Sequence, residues 1–311
     1  MATDSTTRKA KKAANTQVDE VLARRGQALR ARKRAIAQLT VPEAIEVAAL
    51  AAAATPTPHM KLAAEARRLT KGWIVAEGDS WFDYPGRDIL DWLDQMGYNI
   101  ESVARATDRV EMMAFGRSQL EKFAAAIEKV ITLGQKPQAI LLSGGGNDIA
   151  GTEFGFLINH AGSPGEGLNA SIVTGVVDER LHDAYMHIIR TVTELCRRML
   201  GDPVPIVVHG YGYPIPDGVG VLGGLGPLPG PWLRPGFIEK GFDDLTDNTA
   251  TMKKLIDRFN DMIKRVAAEF PHVRYVDLRP LLPAEKTLWA NEIHPKPPGF
   301  RAAAEAIAGV I

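Results

Sequence analysis

Hydrophobic positions fall into two regimes along the chain. From Gly72 onward, short, largely apolar runs recur: Trp73–Ala76, Ala139–Leu142, Ile206–Val208 and Val273–Val276. Runs this short and this apolar predict strands buried on both faces of a parallel sheet. Tyr98–Val103 predicts a fifth, weaker strand. Between these runs lie amphipathic stretches that predict helices, at Ile89–Met96, Ser118–Ile131, Asp178–Met199 and Ala250–Phe270, with a final helix over Gly299–Ile311. In the longest, Met252, Leu255, Ile256, Phe259, Met262, Ile263 and Val266 follow the i, i+3, i+4, i+7 spacing of one buried helix face. Strands alternating with helices predict an α/β fold with a mostly parallel, five-stranded sheet covered on both faces. Functional groups of such a sheet gather at the carboxyl ends of its strands.

The first seventy residues have no strand-like run. They are rich in Ala, Arg and Lys, and predict helices over Val18–Leu39, from Val41-Pro42 onward, and over Leu62–Leu69, with a break at Thr55-Pro56-Thr57-Pro58. The division expected is therefore a basic, helical and partly disordered extension over 1–70 and a catalytic-type α/β domain over 71–311. Two stretches interrupt the alternation, Glu153–Val177 and Tyr211–Asn248, both rich in Gly and Pro. Loops of that length in a compact domain serve as functional covers or lack order.

Composition changes the picture little. With 45% hydrophobic and 24% charged residues in 311, the chain has material for a sizeable core. Lys+Arg and Asp+Glu balance at 37 each, yet residues 1–40 hold ten Lys/Arg against three Asp/Glu. That segment is expected to be a solvated tail, the alternative being a dock for an anionic surface. No Phe, Trp or Tyr precedes Trp73, which argues against base stacking there, and no nucleic-acid partner is expected. The single Cys196 excludes an intramolecular disulfide and sits in a helical pattern as apolar filler. The longest apolar candidate, Val47–Ala54, falls far short of the roughly 18 residues of a membrane span. A cytoplasmic protein without a transmembrane segment is expected; nothing in the sequence sets its oligomeric state.

Three strand or chain ends carry the chemistry. The first strand runs into Gly78-Asp79-Ser80, the third into Ser143-Gly144-Gly145-Gly146-Asn147-Asp148, and Asn291-Glu292-Ile293-His294-Pro295 precedes the last helix. A serine hydroxyl needs a base to become nucleophilic, and His is the usual base near neutral pH. The oxyanion formed on attack needs fixed donors, and an Asn amide can be one. Ser80, Asn147 and His294 thus offer nucleophile, oxyanion donor and base. Asp79 and Asp148 read as acceptors of backbone N–H groups in their loops. Trp81, Phe82, Tyr84, Tyr211, Tyr213 and Trp232 lie beside the site or in the 211–248 loop, as core or as pocket wall.

This combination resembles the SGNH (GDSL-type) hydrolases. The resemblance rests on Gly78-Asp79-Ser80, on Gly145-Gly146-Asn147-Asp148 matching that family's G-x-N-D block, and on His294-Pro295 near the chain end, and it covers about residues 72–311. It implies a flavodoxin-like three-layer α/β/α sandwich and metal-free, cofactor-free hydrolysis or transfer of acyl groups on a small acylated substrate, an ester of a lipid, sugar or small alcohol. It implies Ser80 as esterase nucleophile and acyl-enzyme site, His294 as base, and Ser80, Thr107 and Asn147 around the oxyanion hole. Trp81, Gly146, Tyr211 and Tyr213 are the substrate-binding candidates. Two family positions differ. Asn291 stands where the family has the Asp of its triad, leaving three readings: a carboxylate from Glu292, an oxygen of Asn291, or a weak or inactive binding protein on the same fold. Thr107 stands where a glycine presents an oxyanion N–H. Transfer to an acceptor other than water is the enzymatic alternative to hydrolysis.

Overall fold

The apolar runs become one sheet. The computed structural model describes residues 2–37, 70–165, 167–221 and 229–311. Its strands are β1 (Trp73–Glu77), β2 (Asn99–Ser102), β3 (Pro137–Leu142), β4 (Ile206–His209) and β5 (Val273–Val276). They line up in the order β2-β1-β3-β4-β5, and every neighbouring pair is parallel. This is the doubly wound order of a flavodoxin-like α/β/α sandwich. Val75, Ala76, Ile140, Leu141, Ile206 and Val208 are fully shielded from solvent, as double-sided burial of a parallel sheet requires.

Helices pack around the sheet: α1 (Ala2–Ala37), α2 (Ile89–Gln95), α3 (Val110–Phe115), α4 (Arg117–Thr132), α5 (Gly146–Ile149), α6 (Ala170–Val173), α7 (His182–Leu200), α8 (Arg234–Glu239), α9 (Leu245–Ala268) and α10 (Pro297–Ala308). The seven apolar residues that marked the face of α9 are all buried. Asp88 caps α2, its carboxylate accepting the N–H groups of Leu90 and Asp91.

Several expectations are corrected. The sequence predicts no helix at Val110–Phe115, because six residues are too few to display a period; α3 forms there, packed against α7. The stretch expected as a loop over 153–177 holds a 3₁₀ segment (Gly151–Leu157), α6, and the start of a π-helical segment (Thr174–Leu181) that runs directly into α7. The 211–248 stretch likewise contains α8 and the start of α9. The helices expected from Val41 and over Leu62–Leu69, the break at Thr55–Pro58 and part of Gly220–Pro231 lie outside the described residues.

The basic segment is no solvated tail over its described length. Residues Ala2–Ala37 form a single helix, which packs on α7 and α4. Ala14, Val18 and Val21 supply its buried stripe. Its polar flanks are matched: Gln17 Oε1 lies 2.7 Å from His187 Nε2, Arg24 pairs with Glu121 at 2.5 Å, and Arg25 pairs with Glu128. Two of its arginines are thus answered by glutamates of α4. Among the described residues, no helix is long and apolar enough to cross a membrane. Cys196 is buried on α7, and burial pushes its thiol up to about 12.

Docking of α1 makes a direct prediction. Val18→Ala removes buried methyl groups and should destabilise the fold by about 2 kcal/mol in denaturant unfolding. Lys9→Ala, at an exposed position of the same helix, should leave the unfolding midpoint unchanged.

Candidate active site

The end of β1 turns sharply. Phe82 N–H donates to Asp79 O at 3.0 Å, closing a four-residue turn, and Trp81 N–H donates to the Asp79 carboxylate at 3.0 Å. Gly78 is needed for this close approach: a Cβ there would lie 2.8 Å from Ser143 Cβ, on the neighbouring strand end. The turn leaves Ser80 with its hydroxyl facing the loop before α10. Neither Ser80 N–H nor Thr107 N–H has an acceptor among the described residues.

The end of β3 is bound to the end of β1 by a buried polar chain. Asp79 accepts from Ser143 Oγ at 2.8 Å and from Tyr211 OH at 2.5 Å, while Tyr211 OH accepts Gly146 N–H at 3.1 Å. Burial and the adjacent Asp79 carboxylate hold the Tyr211 phenol well above its ordinary pKa. Gly145 sits at φ +105, a left-handed conformation, and an added Cβ would fall 2.5 Å from the Phe259 ring on α9. These contacts fix Asn147 at the start of α5. Its amide donates to two carbonyls, Ala106 O at 2.8 Å and Asp108 O at 2.9 Å. Asn147 therefore braces the turn that carries Thr107. Arg105 N–H to Gly78 O (3.0 Å) and Ala106 N–H to Asp83 Oδ2 (2.9 Å) hold that turn against the Ser80 loop.

Asp148 is used locally. Its carboxylate accepts Val110 N–H at 2.9 Å and Glu111 N–H at 3.4 Å, securing the first turn of α3. Burial raises it to about 6 in spite of these donors. Burial, aided by Asp108, likewise raises Glu77 at the end of β1 to about 8.

The loop before α10 is a closed hairpin. Trp289 and Pro295 form an antiparallel bridge, and Ala290 N–H donates to His294 O at 2.9 Å. Within it, Asn291 Oδ1 faces three nitrogens: Ile293 N at 3.1 Å, His294 N at 2.9 Å and His294 Nδ1 at 3.0 Å. Two of these are backbone donors, so the atom they meet must be the amide oxygen. The third nitrogen must then also donate, which puts the imidazole hydrogen on Nδ1. Nε2 is left with its lone pair, 2.7 Å from Ser80 Oγ. Asn291 Nδ2 in turn donates to Tyr84 OH at 3.0 Å, and the Tyr84 ring lies 4.3 Å from the His294 ring. Trp232 presents an edge contact at 5.6 Å. Among the described residues no carboxylate lies behind the imidazole, so burial acts unopposed and drives the His294 pKa down to about 3.

Glu292 points elsewhere. Its carboxylate is fully buried and accepts four backbone N–H groups, from Gly218, Trp232, Leu233 and Arg234. It anchors the chain at Gly218 and at Trp232–Arg234 and makes no bond to His294, so the reading in which Glu292 completes a triad is corrected. The adjacent position, Asn291, faces Nδ1.

A narrow apolar cavity of about 50 Å³ opens beside Ser80. Trp81, Gly146, Asn147 and Tyr211 line it, together with residues that sequence reasoning missed: Ile149, Leu233, Met252, Ile256, Trp289 and Ile293. Met252 and Ile256 carried the signal of a core-facing helix, which does not distinguish a core wall from a pocket wall. Tyr213 does not reach the cavity; its hydroxyl donates to Asp257 at 2.7 Å. Among the described residues, no group of three or more His, Cys, Asp or Glu side chains could hold a metal ion.

Comparison with known proteins gives a family match over most of the chain. The model of the GDSL-like lipase/acylhydrolase family matches residues 69–302. No curated protein matches. Solved structures that resemble this one include a catalytic mutant of an acetylxylan esterase from Geobacillus stearothermophilus, at 13% identity, covering 77% of this chain and 94% of that one, with TM-score 0.41. Another is an extracellular lipase from Streptomyces rimosus, at 16% identity, covering 77% and 100%, with TM-score 0.43.

The uncharged partner of His294 makes a prediction. Asn291→Asp places a carboxylate against Nδ1 and should raise the His294 pKa by roughly 1–3 units. NMR titration of the imidazole in the two proteins checks this; an unchanged pKa would place Asn291 away from the ring.

Proposed function

This chain belongs to the GDSL-like lipase/acylhydrolase family, and on that premise we propose that it hydrolyses a carboxylic ester through an acyl-enzyme on Ser80. The observation that carries the reading is the 2.7 Å contact between Ser80 Oγ and the unprotonated Nε2 of His294. In this mechanism Ser80 Oγ attacks the acyl carbon while its proton passes to Nε2. The tetrahedral intermediate collapses as Nε2 returns the proton to the departing alkoxide. Water then attacks the acyl-enzyme, again giving its proton to Nε2, and the carboxylic acid leaves as Ser80 Oγ regains a hydrogen.

The oxyanion is held by the free N–H groups of Ser80 and Thr107. Asn147 joins them by exchanging one of its two loop carbonyls for the new charge. Binding donors at the place where charge develops is usually the largest single contribution to such catalysis.

Asn291 serves as a neutral orienting group. In a serine protease triad, replacing the Asp by Asn costs about 10⁴ in rate because the wrong tautomer results. Here the backbone N–H groups of Ile293 and His294 fix the Asn291 amide with oxygen toward the ring, so the productive tautomer is kept. Only the charge that would stabilise the imidazolium is missing. The substrate is a small ester, and the site needs no cofactor in this scheme.

Hydrolysis of p-nitrophenyl esters tests the proposal. Ser80→Ala should lower turnover by a factor on the order of 10⁴ or more and abolish labelling by a fluorophosphonate. Equal turnover by Ser80→Ala would overturn it. Asn147→Ala, which removes a donor and the brace of the Thr107 turn, should cost about 10² to 10³ in kcat.

A further inference from the structure

The cavity beside Ser80 has chemistry that the catalytic reading alone does not specify. Its polar lining groups are already committed, to one another or, for Ser80 and one Asn147 hydrogen, to the reacting ester carbonyl. Tyr211 OH donates to Asp79 and accepts from Gly146, and Asp79 also accepts from Ser143 and Trp81. The Asn147 amide hydrogens are directed to the Ala106 and Asp108 carbonyls. The remaining walls are hydrocarbon: Ile149, Leu233, Met252, Ile256, Trp289 and Ile293. A hydroxyl or charge placed there would lose water and gain no partner, at a cost that excludes polar substituents.

Position says which part of the ester enters. The alcohol leaves past His294, because Nε2 must protonate its oxygen. The cavity wall contains Ser80 and Asn147 but not His294, which puts the cavity on the acyl side of the nucleophile.

Volume says how much fits. An apolar cavity of roughly 150 Å³ holds the six carbons of benzene, so about 50 Å³ holds about two or three carbons beyond the acyl carbon. Met252 and Ile256, both buried on α9, form part of the wall.

Resting on the acyl-enzyme reading, we infer that the site selects short, unsubstituted alkyl acyl groups, with butyryl near the optimum. Each methylene that fits should raise kcat/KM about fourfold, and chains beyond the wall are rejected because a packed interior resists insertion.

The test is kcat/KM for p-nitrophenyl acetate, butyrate, 3-hydroxybutyrate and octanoate, with the alcohol held constant. Butyrate should exceed acetate by about fifteenfold, and should exceed both 3-hydroxybutyrate and octanoate by at least tenfold. Met252→Ala, or Ile256→Ala if that variant folds poorly, should raise octanoate relative to butyrate at least fivefold. Turnover that is flat with chain length, or highest for octanoate in the unaltered protein, overturns the inference while leaving the Ser80 reading intact. Failure to turn over any ester, with Ser80 unlabelled by a fluorophosphonate, overturns both.

Discussion

One oxygen atom organises the candidate site. Asn291 Oδ1 collects the N–H groups of Ile293, of His294 and of the His294 ring. The two backbone donors settle which end of the amide faces inward, and that settles the tautomer of the imidazole. The lone pair on Nε2, and so the capacity to take a proton from Ser80, follows from this arrangement. Because the organising group is neutral, it gives direction without adding charge. Burial then holds the imidazole in its neutral, proton-accepting form far below the usual histidine range. In the proposed mechanism the cost falls on the imidazolium, which has no carboxylate to stabilise it.

The rest of the fold delivers partners to that pair. Parallel strands β1 and β3 end side by side, and the Ser143–Asp79–Tyr211–Gly146 chain locks their two loops together. Asn147 ties the turn carrying Thr107 to the same cluster. Glu292, next to Asn291, spends its carboxylate on the backbone N–H groups of Gly218, Trp232, Leu233 and Arg234. That anchor brings Trp232 against His294 and Leu233 to the cavity wall. Neighbouring residues in one hairpin therefore do different jobs: one orients the His294 ring, the other fixes a wall around it.

What could be read in the sequence followed from local physics. Apolar runs such as Ile206–Val208 specify buried strands without help from the rest of the chain, and α9 shows its buried face through spacing alone. The loops after β1 and β3 were legible because glycines beside Asp, Ser and Asn mark tight backbone. The group behind His294 was not legible, since Asn291 and Glu292 are adjacent and only the hairpin's path decides which faces the ring. The pocket walls were hidden for a related reason: Met252 and Ile256 carry the same apolar spacing whether they meet core or cavity. Tyr213 stood next to a strand end yet turned to Asp257. The basic amino-terminal segment misled because charge is conspicuous in a sequence, whereas the stripe of Ala14, Val18 and Val21 that docks it is short.

The central claim is that a neutral, Asn-oriented histidine activates Ser80. The rate of Ser80 modification by a fluorophosphonate, measured against pH, tests it most directly. A base with a pKa near 3 is deprotonated throughout the neutral and mildly acidic range, so the rate should stay level from pH 8 down to about pH 4. A rate that falls with an apparent pKa near the ordinary histidine value of about 6.5 would contradict the burial-lowered pKa, and an equal rate in His294→Ala would contradict activation of Ser80 by the histidine.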